Sequence, residues 1–117
     1  MTDLTHCKLI ELAAKAAGIV SHYDGLEECT FYSSPDGWKA TSWNPLDDDG
    51  DAFRLAVKLG MQIQMPEMLN SRVLVEIEEI GNPIISVWDE DINNPRLATR
   101  RAIVKAAAAL TAKKTWY

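Results

Sequence analysis

The chain opens with an apolar stripe at helical spacing. Leu9, Leu12, Ala13 and Ala16 recur every three or four residues, Ile10 and Ala17 widen the stripe, and Lys8, Glu11 and Lys15 take the other side. This pattern predicts a first helix, capped by Asp3 or Thr5 and ended by Gly18. Residues 19–45 hold no sustained period. Ile19-Val20 and Thr30-Phe31-Tyr32 suit short strands, and Ser33-Ser34-Pro35-Asp36-Gly37 is a turn signal. The stretch reads as a long ordered loop or a hairpin, held down by Trp38 and Trp43. A second helix follows Trp43-Asn44-Pro45-Leu46. Asp47, Asp48 and Asp49 supply a cap and negative charge where the helix dipole is positive. Its expected buried face is Ala52, Phe53, Ala56, Val57 and Leu59, its wet face Arg54 and Lys58, and its stop Gly60.

The period then changes to two. Met61, Ile63 and Met65 alternate with glutamines, Val73, Val75 and Ile77 alternate with Leu74, Glu76 and Glu78, and Ile84-Ile85-Ser86-Val87-Trp88 follows. Gly81-Asn82-Pro83 between the last two predicts an antiparallel hairpin. Asn94-Pro95 opens a last helix, a cap followed by proline at the first helical position. Leu97, Ile103, Val104, Ala107 and Leu110 share its apolar side, Arg101 and Lys105 point away, and Arg100 falls inside the apolar arc. The pattern predicts an α+β fold: a small antiparallel sheet of about three strands with helices packed on it, in a single domain over residues 1–117.

Composition changes this picture little. Apolar residues at 47% and charged residues at 25% are those of an ordinary globular chain, which excludes fibrous and wholly disordered classes. No apolar run approaches the ~20 residues of a membrane span, and the start reads as neither signal nor transit peptide. Cys7 and Cys29 are therefore expected as reduced thiols in a cytoplasm. Charge is more telling. Residues 1–95 carry 17 acidic against 6 basic side chains, whereas residues 96–117 carry six basic and no acidic ones. The acidic body argues against nucleic acid, and the basic end is expected to pack on it.

Candidate chemistry is sparse. Asp47-Asp48-Asp49-Gly50-Asp51 invites a calcium reading. With Gly50 at loop position six, however, positions one and twelve fall on Pro45 and Ala56, so capping is the better account. His6, Cys7, His22 and Cys29 match no zinc spacing, and neighbouring His6 and Cys7 diverge on a helix. No phosphate loop, nucleophile elbow or zinc-protease motif occurs. No catalytic residue, metal site or cofactor is expected. The rings Trp38, Trp43, Trp88, Trp116 and Tyr32 either pack the core or anchor a partner. Arg96, Arg100 and Arg101 either bind a phosphate or pair with Asp89, Glu90 and Asp91.

The run from Trp43-Asn44-Pro45-Leu46 through Asp47-Asp48-Asp49-Gly50-Asp51-Ala52-Phe53 to Leu59 resembles the central signature of the phage ABA-sandwich domain family, small proteins of bacteriophages and prophages. Ala98-Thr99-Arg100-Arg101-Ala102-Ile103-Val104-Lys105-Ala106-Ala107 resembles the family's C-terminal helix. The likeness spans roughly the whole chain and is weakest over residues 19–42. It implies helix–sheet–helix layers and a phage or prophage origin, and carries over no catalytic residues.

These readings together lead to an expected non-enzymatic accessory protein, acting in the cytoplasm of a bacterial host. It would bind a host or phage protein, with inhibition of a host defence system as one form. The alternative is a small-molecule or nucleotide binder using Arg100, Arg101 and aromatic residues. The residues expected to bind are Trp38, Trp43, Asp47, Asp48, Asp49, Arg96, Arg100 and Arg101. A homodimer through the Val73–Glu78 strand as a free edge is a further expectation.

Overall fold

The fold is given by a computed structural model. It describes the backbone of residues 2–18, 21–24, 30–33, 41–65, 72–81 and 83–114, with side chains over 7–18, 43–65, 72–81 and 83–111. The elements run α1 (Thr2–Ala16), β1 (Ser21–Asp24), β2 (Thr30–Ser33), β3 (Thr41–Ser42), α2 (Asp49–Leu59), β4 (Gln62–Gln64), β5 (Arg72–Ile77), β6 (Ile85–Glu90) and α3 (Pro95–Lys114). The α+β class holds, with an antiparallel sheet and helices packed on it.

The main sheet has the order β4-β5-β6, every pair antiparallel. Its register is unbroken from Arg72↔Glu90 to Ile77↔Ile85, so the expected hairpin forms. Gly81 sits in its turn at φ 84°, a left-handed backbone that glycine adopts without steric penalty. β5 is the central strand, so the expected free edge at Val73–Glu78 is corrected: the edges are β4 and β6. β6 reaches the edge because the tight turn folds it back on β5, and β4 takes β5's other side.

Period-two alternation sorts the sheet into two faces. Val73, Val75, Ile77 and Ile85 are buried, while Gln62, Gln64, Arg72, Ser86, Trp88 and Glu90 are exposed. α3 covers the buried face, and α1 and α2 pack on α3. Among the described residues the opposite face of the sheet is open, with Gln62, Gln64, Ser86, Trp88 and Glu90 exposed on it. α3 is central, and its sequence suits that place. Ala98, Ala102, Ala106, Ala107 and Ala108 are buried beside Ile103, Val104 and Leu110, and small side chains let neighbours approach from several sides. Thr111 is buried too, and its hydroxyl donates to the Leu12 carbonyl of α1 at 2.6 Å.

The helix faces are rotated from the expected ones. α1 buries Ile10, Ala13, Ala14 and Ala17, with Leu9 and Ala16 half-buried. Its start at Thr2 places Asp3 and Thr5 within the first turn instead of at the cap. α2 buries Ala52, Leu55 and Ala56, whereas Phe53 and Val57 are 68% and 64% exposed, correcting the expected burial of both. α2 carries apolar residues around most of its circumference. Contact with α3 selects the side holding Leu55 and leaves Phe53 and Val57 outside. β1, β2 and β3 form a second small antiparallel sheet. Thr30-Phe31-Tyr32 is a strand as expected. Ile19-Val20, the turn at 34–37, Trp38 and the tail Thr115-Trp116-Tyr117 lie outside the described residues.

Candidate functional site

The expected binding residues gather around the entry to α2, and local chemistry explains why. Asn44 folds the chain on itself: its side-chain oxygen accepts from the Leu46 N–H at 3.0 Å, and its carbonyl accepts from the N–H groups of Asp47 and Asp48. Pro45 is fully buried and fixes the turn. Asp48 is the N-cap, with extended backbone (φ −116°, ψ 120°) and a carboxylate that accepts from the Asp51 N–H at 2.8 Å. Asp51 points inward. One of its oxygens accepts from the Asn44 N–H at 2.9 Å, the other from the Arg54 guanidinium at 2.7 Å. Each of these carboxylates serves the turn or the helix. At the far end Gly60 adopts φ 63° and returns the chain, with Met61 N–H donating to the Ala56 carbonyl.

Asp49 reaches across to α3. It accepts from Arg100, and more loosely from Arg96 at 3.4 Å. Arg100, expected inside the apolar arc, is indeed largely covered, its side chain 13% exposed. Its Nε donates to the Leu46 carbonyl at 2.9 Å, so one guanidinium ties the turn, the start of α2 and α3 together. Trp43 is buried in the core cluster. Asp47 is exposed, and Trp38 lies outside the described residues. The structure therefore joins Asp49, Arg96 and Arg100, and sets Trp43 beneath the surface.

Arg101 goes elsewhere. It donates to both oxygens of Asp89 at the end of β6, at 2.8 and 3.2 Å, and to the Glu90 carbonyl. Lys105 adds a third donor to Asp89 at 3.0 Å. Burial pushes the Asp89 carboxyl up, but hydrogen bonds from Arg101 and Lys105 and the charge of Lys105 outweigh it and hold the group below the ordinary carboxylate range. Asp89 in turn raises Arg101. The sequence placed Asp89 among the candidate partners of the arginines. That its side chain is only 9% exposed is a tertiary fact.

Cys7 is disulfide-bonded, which corrects the expected reduced thiol. The sequence holds one other cysteine, Cys29, outside the described residues. A disulfide forms where the fold brings two Cβ atoms to about 3.5–4.5 Å, and sequence spacing does not show that.

Among the described residues, then, the arginines of the expected site are held by carboxylates, and the large apolar side chains Phe53, Val57, Ile84, Trp88 and Ile92 face outward. No helix there is long and apolar enough to cross a membrane. Comparison with known proteins finds no matching family model, no matching curated relative and no matching solved structure.

Proposed function

We propose that this chain is a non-enzymatic protein-binding module, a small accessory protein of a bacteriophage or prophage that binds a host or phage protein. Inhibition of a host defence system is one form that activity takes. The observation that carries the reading is the contrast between inside and outside. Arg100 and Arg101 are spent on Asp49 and Asp89, while Phe53, Val57 and Trp88 are more than half exposed. Exposed aromatic and aliphatic side chains are the material of protein interfaces. A nucleotide-binding alternative through Arg100 and Arg101 has less support, because an incoming phosphate would have to displace a carboxylate already in place. The phage origin rests on the Trp43–Leu59 and Ala98–Ala107 resemblances.

Affinity capture of the tagged chain from its bacterial host, with mass spectrometry of what accompanies it, tests the reading. One host or phage protein in stoichiometric amount is expected, and a chain that comes through alone would overturn it. The place of action is proposed as the host cytoplasm. The disulfide at Cys7 opposes that placement, since a bacterial cytoplasm keeps thiols reduced. Recovery of the chain from the periplasmic fraction would therefore overturn it.

A further inference from the structure

Two exposed faces of this chain complement each other. The first is the uncovered face of the main sheet. Across it Gln64, Leu74 and Trp88 form one row and Gln62, Glu76 and Ser86 the next. Trp88 is 56% exposed, with the Arg72 guanidinium 4.9 Å from its ring centre. Apart from Arg72 the charges here are negative: Glu76 and Glu90 on the strands, and Glu78 just past β5. The second is the outer face of α2. Phe53 and Val57 stand one turn apart, flanked by the exposed cations Arg54 and Lys58. Lys58 makes no ion pair among the described residues. One face sets Leu74 and Trp88 among polar side chains of net negative charge; the other sets Phe53 and Val57 beside the cation Lys58, while Arg54 is held by Asp51 and Asp48.

The two cannot meet within one chain. α3 covers the sheet's other face and α2 packs on α3, which keeps α2 away from the open face. We propose that α2 of one chain docks on the open face of the β4-β5-β6 sheet of a second copy, head to tail. Each contact then supplies the helix that the sheet's far face lacks, with Phe53 and Val57 set over Leu74 and Trp88, and Lys58 facing Glu76, Glu78 and Glu90. The sizes agree: a helix of 11 residues is about 16 Å long, and three strands span about 14 Å. The contact is heterologous, because it uses two different patches, so it can extend into rings or longer arrays. One short helix on one small sheet falls at the small end of specific interfaces, below about 1,200 Å² in total, so association is weak and concentration-dependent. This pairing does not rest on capture of a foreign protein, and a chain that captures none can still pair with itself.

Sedimentation of the purified full chain from roughly 10⁻⁵ to 10⁻³ M tests the inference. The average mass should rise with concentration, and rise less in high salt. Phe53→Ala and Trp88→Ala should each leave the pure variant monomeric, whereas an equimolar mixture of the two should form a dimer and stop there, because one intact face remains on each. Both side chains are exposed, so circular dichroism should show both variants folded. Lys58→Glu should weaken association in otherwise wild-type protein, and Glu76→Lys combined with it should restore it. A wild-type chain that stays monomeric at ~10⁻³ M overturns the proposal. So does association that both alanine variants leave unchanged, or a wild-type dimer that never grows further.

Discussion

α3 carries two arginines side by side, and the fold treats them oppositely. Arg100 is buried against an exposed acid: its side chain is 13% exposed and that of Asp49 51%. At Arg101 the acid is the buried member, with Asp89 at 9% and the arginine at 28%. Neighbours on a helix diverge by about 100°, so consecutive guanidiniums serve different elements, one the start of α2 and one the end of β6. The lesson concerns which member of a pair the structure depends on. An arginine with several donors stays satisfied by a carbonyl if its acid is lost, as Arg100 does with Leu46. The carboxylate of Asp89 keeps only the Glu90 N–H at 2.8 Å once its cations are gone; that donor does not neutralise it, and the uncompensated charge is costly.

The largest effect is expected from stripping the cations from Asp89. Arg101→Met with Lys105→Met should cost about 3 kcal/mol of stability in urea unfolding. Adding Asp89→Leu to that variant should recover most of the loss, because the stranded charge goes with it. Arg100→Met should cost less, about 1–2 kcal/mol, through the Leu46 carbonyl left without its donor. Equal losses from the two experiments would erase the distinction drawn here.

The Asp89 carboxyl is lowered by the fold, so its contribution is present above the unfolded carboxylate value near 3.9 and is lost as pH falls through the lower folded value. Urea midpoints measured from about pH 5 to pH 2 should fall more steeply for the wild type than for Asp89→Asn. A matching slope in the variant would show that another group governs the acid limb. Asp49→Asn should give the smallest effect, about 0.5 kcal/mol and less in high salt, as expected of a half-exposed partner.

Much of this chain is legible residue by residue, and the rest fails for identifiable reasons. The N-caps of α2 and α3 were readable because they are local: Asp48 meets Asp51 three residues on and Asn94 meets the Leu97 N–H at 3.1 Å, while Gly18 and Gly60 take positive φ at helix ends; the expected cap of α1 at Asp3 or Thr5 failed, since the helix begins at Thr2. The place of Arg100 in an apolar arc was readable, but its burial was not, because that depends on the turn at Leu46 and on Asp49 closing over it. Phe53, Val57 and Leu55 show the limit. Ala52, Phe53, Ala56 and Val57 make as good a helical stripe as Ala52, Leu55 and Ala56, and no local rule chooses between two stripes about 100° apart. α1 shows the same rotation, from Leu9 and Leu12 toward Ile10 and Ala14. β3, two residues long, is too short to carry a period at all. Trp43 and Trp88 are equally large and apolar, yet one is buried and the other open, because one precedes a turn pressed into the core and the other sits on the uncovered face of β6.

The residue pattern was enough for the three helices, the strands β4 to β6, the β5–β6 hairpin and the α+β class, but not for β1, β3 or the start of α1. The former depend on backbone preferences, capping and periodicity, all of which act within a few residues. The fold as a whole was needed for the rest: that α3 packs on the sheet and on both other helices, that β5 is central, and that Arg101 and Lys105 close on Asp89. It also decided that Phe53 and Trp88 face outward. Those outcomes depend on which apolar stripe finds a partner across the chain, and that competition is settled by packing over separations no local pattern spans.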